Sequence, residues 1–343
     1  MPDQFVSHMC ELSFRAKRGI CFFLALAAIT CPPLFSQTPR PKILAIHSVQ
    51  ISVSDYCRSV DFYSSILGGK VVGISSEIKL NASGGAASGV LGKREIDHAN
   101  CPSANQEDKW LVTAFPLRSG QDLGVGSHGT PNSYKLINEF SFVIDDAPAL
   151  LQYLKSQGVE ANYSDRYGTS VTARDPDGHV IVFVDHNRTR SAQALGSAGD
   201  PRRIIHIGFA VWHQESTQHF YKDILGFRPY WHGGRTDERD DWVSLQVPDG
   251  SDWVEFMLNV PDDADKRQLG VANHIALGVT DIQAAKAQLV KNGTVLTEEP
   301  RIGRGGKWQM NLYDPDGTRI EFMEFTPVQK PCCSEYTAPH PKP

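Results

Sequence analysis

The sequence predicts an α+β fold of four βαβββ modules, each a strand, a helix and then about three strands, arranged in two pairs. The first observation is a fourfold repeat of short segments whose second, fourth and sixth residues are apolar, a period typical of half-buried strands. These segments are Ser48–Val53, Glu139–Ile144, His206–Val211 and His274–Val279. The other two observations are a helix-like stretch after each segment and Asp-Gly turns near the module ends.

The four predicted helices share apolar residues at helical spacing and end at or beside a glycine. They cover Asp55–Gly69, Asp145–Val159, Glu215–Phe227 and Asp281–Gly293. The first and the third both carry Phe-Tyr followed by Ile-Leu-Gly, which indicates that alternate modules are copies of each other.

The closing strands of the modules follow or flank Pro-Asp-Gly turns. These stretches are Asp175–Asp185, Pro248–Leu258 and Asp314–Glu324. The first module is the longest because it holds a Gly/Ser-rich insertion near Asn81–Gly92 and a polar stretch near Asp97–Asp108. Residues 189–203 are polar and small, and we interpret them as a linker between the module pairs at 42–188 and 204–327.

Composition and charge describe an ordinary globular protein. Of its 343 residues, 41% are hydrophobic and 21% are charged, and the formal net charge is -5. No long basic run occurs in the body of the chain, so we expect a small-molecule partner and no nucleic acid. The oligomeric state is left open.

The N-terminus has the pattern of a secretory signal. Arg15, Lys17 and Arg18 precede the apolar run Ile20–Cys31, and Ser36 lies near the expected cleavage point. We therefore interpret residues 1–36 as a signal peptide and expect an exported protein, periplasmic or secreted. The run is too short to span a bilayer comfortably. An uncleaved anchor or lipid attachment at Cys31 are the alternatives.

Residues 328–343 form a Pro- and Cys-rich tail. Cys332 and Cys333 are adjacent, and His340 follows. A disulfide, a flexible tail or a second metal site with His340 are the three interpretations that the sequence allows.

Two histidines and two glutamates recur at equivalent places in the last two modules. His206 and His274 open their strands, and alternation points them away from the helix, beside small residues that leave space for a ligand. Glu255 and Glu321 lie on the same face of the closing strands, 49 and 47 residues after the respective histidine. Two neutral imidazoles and two carboxylates balance the charge of one divalent cation. We therefore predict a metal site of four ligands.

The N-terminal pair lacks this set. Its equivalent positions are Ser48, Gly124, Glu139 and Val182. His47 comes one residue early, so alternation points it to the opposite face. We expect this half to be a scaffold or a lid without a metal.

With these motifs, the chain resembles the vicinal oxygen chelate superfamily over about residues 42–327. The most specific segments are HIGFAV, FYKDILGF, HIALGV and YDPDGTRIEF. This resemblance implies paired βαβββ modules that form open, curved mixed sheets, with helices outside and a metal inside. The superfamily includes glyoxalase I, bleomycin resistance proteins and extradiol dioxygenases.

Within the superfamily, the set of four ligands is most like that of glyoxalase I. An N-terminal module pair without a metal is instead a feature of the extradiol dioxygenases. The dioxygenases use two histidines and one glutamate, and have a Tyr three residues before the Asp-Pro turn. Asn311 stands at that position here.

The preferred hypothesis is a glyoxalase-like lyase or isomerase. A small substrate would chelate one divalent ion (Ni, Co, Zn, Fe or Mn) through neighbouring oxygens and react through a metal-bound enediolate, with Glu321 or Glu255 as the base. Candidates for anion binding are Arg304, Lys307, Trp308 and Arg319. Export argues against a cytosolic thiol as cosubstrate. The alternatives are an Fe(II) extradiol-type dioxygenase that uses His206, His274 and Glu321, and a non-catalytic resistance-type binding protein.

Overall fold

The computed structural model describes residues 39–67, 72–73, 76–80, 86–90, 94–95, 109–116, 121–127, 136–164, 169–186 and 202–343. The predicted signal peptide and most of the predicted linker and first-module insertion lie outside these residues. Within the described ranges, no helix has the length and apolar character needed to cross a membrane.

The N-terminal half forms a nine-stranded mixed sheet and a small two-stranded one. Its strands are β1 (Ile43–Ser52), β2 (Val72–Gly73), β3 (Ser76–Leu80), β4 (Ala86–Val90), β5 (Arg94–Glu95), β6 (Lys109–Pro116), β7 (Asp122–Ser127), β8 (Ile137–Ile144), β9 (Ala161–Ser164), β10 (Ser170–Arg174) and β11 (Val180–Asp185). The large sheet has the order β4-β3-β6-β7-β1-β8-β11-β10-β9, and β2 pairs with β5.

The C-terminal half forms an eight-stranded mixed sheet with the same plan. Its strands are β12 (Arg203–Ala210), β13 (Arg228–Gly233), β14 (Trp242–Gln246), β15 (Trp253–Met257), β16 (His274–Val279), β17 (Arg301–Ile302), β18 (Trp308–Tyr313) and β19 (Arg319–Glu324). The order is β13-β14-β15-β12-β16-β19-β18-β17. In each half, the first strands of two modules pair antiparallel at the centre, and each pairs in parallel with the last strand of its own module. The predicted α+β class with four βαβββ modules in open, curved sheets is confirmed.

The helices are α1 (Tyr56–Leu67), α2 (Ala147–Ser156), α3 (Gln214–Gln218), α4 (Lys266–Ala272) and α5 (Ile282–Lys291). All four predicted helices are present, and the third continues beyond α3 as a π-helix over His219–Ile224. The Asp146 and Asp281 side chains accept hydrogen bonds from the first backbone N–H groups of α2 and α5, as N-caps do. Helix α4 was not predicted, although Asp265 and Gln268 form a capping box there.

One hydrophobic core joins both halves. The apolar residues that follow the two histidines on β12 and β16 are fully buried in it, as alternation predicts: Ile207, Phe209, Ile275 and Leu277. Phe140 of the N-terminal sheet stacks on Phe209 of the C-terminal sheet, with ring centroids 5.2 Å apart. The opposite face of the C-terminal sheet is therefore left to line a cavity.

Candidate metal centre

The two predicted histidines meet at the centre of the C-terminal sheet. In the antiparallel pair β12 and β16, His206 lies opposite Ala276, and His274 lies opposite Gly208. Both side chains are fully buried, and their Nε2 atoms are 3.1 Å apart. The small residues beside the imidazoles leave this space, as the sequence predicts. Trp253 also packs against His206, with ring centroids 4.6 Å apart.

The two glutamates reach the same point from the flanking strands. Glu255 lies beside Gly208 and Glu321 beside Ala276 in the parallel pairs. The Oε2 atom of Glu255 is 3.3 Å from His274 Nε2, and the Oε2 atom of Glu321 is 3.3 Å from His206 Nε2 and 3.8 Å from His274 Nε2. Ligand atoms of His206, Glu255 and His274 all lie within 4.8 Å of one another, and Glu321 lies outside that group of three. The structure thus brings together all four predicted ligands.

Burial and charge set the protonation of these groups. Burial, with the nearby Arg319 charge, lowers the pKa of His274 to about 4, so its imidazole is neutral at pH 7. For Glu321, burial acts to raise the pKa, but the His206 hydrogen bond and the Arg319 charge outweigh it and hold the pKa at about 2. Burial also acts to raise the pKa of Glu255, but the hydrogen bond to His274 is the largest of several opposing effects. The pKa of Glu255 is therefore lowered. The carboxylates are therefore ionised.

This donor set fits a divalent ion. Adjacent ligands of an octahedral ion that are about 2.1 Å from it lie about 3 Å apart, close to the spacings of 3.1 and 3.3 Å seen here. Two negative charges on the site balance the ion. Arg319 competes with a metal ion for one of these ligand atoms, because its Nη2 lies 2.9 Å from His274 Nε2. A cation at that nitrogen would require this guanidinium to turn into the cavity that it lines.

The N-terminal sheet carries other residues at the equivalent places. In its strand register, Gln50 lies opposite Gly124, and Ser141 lies opposite Val182. In the C-terminal sheet the first strand carries the small residue, Gly208, and the last strand of the module carries Glu255. In the N-terminal sheet the first strand carries the long residue, Gln50, and the last strand carries Gly124. The Gln50 side chain fills the space that Gly124 leaves, because a Cβ on Gly124 would come within 2.2 Å of Gln50 Oε1.

The predicted orientation of His47 is wrong. The register between β1 and β8 shifts between Ile46 and Ser48, so a β-bulge interrupts the alternation. His47 Nδ1 therefore lies 3.1 Å from Ser141 Oγ, on the same face as Ser48, whose Oγ is 2.6 Å from Ser141 Oγ.

The candidates for anion binding divide into two groups. Arg304, Lys307 and Arg319 line a cavity of about 150 Å³ next to Glu255 and Glu321. Trp308 packs against the main hydrophobic core instead, because alternation along β18 turns it away from the cavity.

The aromatic walls of this cavity and the role of the tail were not predicted from the sequence. Tyr230, Trp231, Trp242 and Trp253 line the cavity, together with Tyr336 of the tail. No short-range pattern marks these residues, because the tail contacts the edge strand β13, which lies about a hundred residues earlier in the chain.

The tail is ordered by hydrogen bonds to both edges of the C-terminal sheet. Cys332 N donates to Arg304 O at 2.9 Å, and Thr337 N donates to Tyr230 O at 3.0 Å. Cys332 and Cys333 form a disulfide. The Tyr230 hydroxyl and His340 Nδ1 share a hydrogen bond of 2.5 Å, which helps to hold the tail against the sheet.

Comparisons with known proteins agree with this architecture. The family described as "Glyoxalase/Bleomycin resistance protein/Dioxygenase superfamily" matches residues 45–183 and 203–322. A lactoylglutathione lyase of Haemophilus influenzae is 33% identical over 128 residues, which are 36% of this chain and 92% of that protein. A probable chloroplastic lactoylglutathione lyase of Arabidopsis thaliana is 28% identical over 139 residues, 39% of each chain.

The solved structures add a likeness over nearly the whole chain. The 2,3-dioxygenase LapB from Pseudomonas sp. KL28 superimposes with a TM-score of 0.55 at 15% identity, covering 89% of this chain and 96% of that one. An extradiol ring-cleaving dioxygenase from B. fuscum gives a TM-score of 0.54, also at 15% identity, covering 86% of this chain and 74% of that one. At this identity the likeness concerns the fold alone. From the two family matches, together with the modules described above, the chain belongs to the Glyoxalase/Bleomycin resistance protein/Dioxygenase superfamily.

Proposed function

We propose that this chain is a divalent-metal-dependent lyase or isomerase that acts on a small substrate with two neighbouring oxygens. The observation that carries the proposal is the convergence of two imidazoles and two ionised carboxylates on one point beside a cavity. A divalent cation held by His206, Glu255, His274 and Glu321 would act as a Lewis acid that makes a C–H bond beside a carbonyl more acidic.

The residues of the chain would supply the base and exclude water. Glu255 or Glu321 would take the proton from carbon and return it to the neighbouring position. Glu255 has more room to turn toward a substrate, because its side chain is 14% exposed and that of Glu321 is 4% exposed. The indole of Trp253, packed on His206, would keep the imidazole oriented and the reacting carbon away from water.

We further propose that the substrate is smaller than the glutathione conjugate named for the relatives. A cavity of about 150 Å³ is below the range of about 300–1,000 Å³ that drug-sized ligands occupy. Export, proposed from residues 1–36, would separate the enzyme from the cytosolic thiol pool, and the Cys332–Cys333 disulfide suits an oxidising compartment. N-terminal sequencing of the mature protein should begin close after Ser36, and an intact residue 1 would contradict the export proposal.

The activity can be tested by hydrogen exchange at carbon. Protein loaded with Ni²⁺, Zn²⁺ or Mn²⁺ should catalyse exchange of the C–H hydrogens of a short α-hydroxyketone in D₂O, followed by proton NMR. The Glu255→Gln and Glu321→Gln variants should lose this exchange, whereas Glu139→Gln in the N-terminal sheet should keep it. Stoichiometric binding without exchange across a substrate panel would contradict the proposal and favour a binding protein.

The second candidate is an Fe(II) dioxygenase. It is favoured by the approach of Glu321 to both imidazoles, which gives a group of two histidines and one carboxylate. Oxygen uptake with catechols after anaerobic Fe(II) loading, unchanged in Glu255→Gln, would replace the lyase or isomerase proposal with this one.

A further inference from the structure

A buried ammonium group lies in the wall of the cavity. The Lys307 side chain belongs to a residue that is 1% exposed, one of the largest fully buried side chains of the described residues. Three aromatic rings surround its Nζ atom, with centroids at 4.8 Å for Trp253, 5.2 Å for Tyr336 and 5.7 Å for Tyr230. The rings stabilise the cation through their π faces, but they accept no strong hydrogen bond.

This ammonium is short of partners. Its hydrogen bond to the Tyr230 hydroxyl is long, at 3.4 Å, and an ammonium has three N–H groups to satisfy. Across the described residues, no carboxylate lies within 4 Å of Lys307 Nζ. Burial accordingly lowers the pKa of Lys307 to about 7, while the charges of Glu321 and Glu255 act to raise it. Buried charges in proteins are normally paired, so an anionic group that entered the cavity would stabilise the charged form of Lys307.

An anion that binds to Lys307 would have to be small. Lys307 lines the same cavity as Glu255 and Glu321, so one ligand can reach all three. The tail closes the cavity on this side, because the Tyr336 hydroxyl donates to Gly305 O at 2.9 Å and Gln246 Nε2 donates to Pro339 O at 2.8 Å. A bulky ligand would have to displace these contacts.

We propose that Lys307 binds a carboxylate of the substrate, and that the substrate is a short α-hydroxy-carbonyl carboxylate. Its hydroxyl and carbonyl oxygens would face the histidines and glutamates, and its carboxylate would accept hydrogen bonds from Lys307 Nζ. Tyr336, which comes from the tail, is then part of the substrate pocket. This inference rests on the proposed function, since it names the substrate class of the same site.

The test compares two ligands that differ in one group. Hydroxypyruvate and dihydroxyacetone share the hydroxyketone, and only hydroxypyruvate has a carboxylate. Isothermal titration of Zn²⁺-loaded protein should give about tenfold or more tighter binding of hydroxypyruvate, as expected for a charge-assisted hydrogen bond. The preference should vanish in Lys307→Met and Lys307→Gln, and it should persist in Lys291→Met, which removes an exposed lysine of α5.

The outcomes separate this inference from the proposed function. Circular dichroism and the metal content of each variant check folding and loading. A loaded protein that binds both ligands equally, or keeps its preference without Lys307, overturns the inference alone. A protein that takes up no metal but prefers hydroxypyruvate through Lys307 overturns the proposed function alone. A ligand carbonyl trapped on Lys307 by borohydride would make the lysine a nucleophile, and would also overturn the inference.

Discussion

Gly208 faces the imidazole of His274 across the central strand pair so closely that no side chain can be added there. A Cβ on Gly208 would come within 1.8 Å of His274 Cε1, and within 2.5 Å of each ring nitrogen. His274 occupies the volume that the glycine leaves free, and this places its Nε2 atom 3.1 Å from that of His206. The glycine is therefore part of the candidate metal centre, although it has no ligand atom.

We predict that Gly208→Ala weakens metal binding. The added methyl group must displace the His274 ring, and overpacking of this kind costs about 1–3 kcal/mol of stability. The metal dissociation constant, measured by competition with a chromogenic chelator, should rise at least about tenfold. The matched control is Gly124→Ala, whose Cβ would meet Gln50 in the N-terminal sheet. Unchanged affinity in Gly208→Ala would show that His274 is not a ligand.

Two tyrosines tie the halves of the chain together. The Tyr63 hydroxyl in α1 donates to Asp314 Oδ2 at 2.9 Å, in the turn before β19. The Tyr221 hydroxyl, in the π-helix, donates to Asp175 Oδ2 at 3.1 Å in the turn before β11. Each half thus supplies a hydroxyl to the Asp-Pro-Asp-Gly turn of the other.

We predict that Tyr63→Phe destabilises the protein by about 1.5–3 kcal/mol at pH 8, because a buried carboxylate loses a donor. Burial raises the pKa of Asp314 from 3.8 to about 6. The stability that depends on this carboxyl group is present below about pH 4, where it is protonated in both states, and is lost as pH rises through about 6. Loss of the Tyr63 donor raises the pKa further, so the deficit should be smaller at pH 5. Urea unfolding at both pH values measures it.

The exposed Tyr163 provides the control for this prediction. Its side chain is 55% exposed, and Tyr163→Phe should leave the unfolding free energy unchanged within about 0.5 kcal/mol. An equal effect of Tyr63→Phe at pH 5 and pH 8 would mean that the hydroxyl does not stabilise the ionised form of Asp314.

We predict that removal of the tail uncovers Lys307. A chain that ends at Pro327 lacks Tyr336, which covers the ammonium with Trp253 and Tyr230. An amine-reactive acylating reagent, followed by peptide mass spectrometry, should modify Lys307 at least about tenfold faster in the shortened chain, since access controls the reaction. Lys291 serves as the internal control. Equal protection of Lys307 in both chains would mean that the tail does not close the cavity.

The strand alternation accounts for most of what could be predicted. It fixed the face of His206, His274, Glu255 and Glu321, because the strand register is regular from each histidine onward and beside both glutamates. The register of β12 shifts only before His206, between Ile204 and His206. The same rule failed at His47, where a β-bulge adds one residue to the strand. The His47 side chain therefore lies on the same face as Ser48. The bulge changes the phase of the buried apolar residues between Ile46 and Val49, which a strict alternation does not take into account.

The cavity walls could not be predicted, because they depend on contacts between distant segments. Tyr336 meets Lys307 only after the tail has crossed the edge strands, and no local periodicity encodes that path. Lys307 was a candidate for anion binding, but its burial among three rings depends on Tyr230 and Trp253 of the sheet and on Tyr336 of the tail. Helix α4 was within reach, since the Asp265 and Gln268 spacing is that of a capping box.

We propose that Glu255 and Glu321 both hold one metal ion with the two histidines. Elemental analysis of the purified mature protein, beside Glu255→Gln, Glu321→Gln and Glu139→Gln, tests it most directly. We predict about one divalent ion per chain in the wild type and in Glu139→Gln, and a loss of metal in each of the other two variants. Equal metal content in all four proteins would contradict the site, and loss in Glu321→Gln alone would reduce it to the three ligands of the dioxygenase alternative.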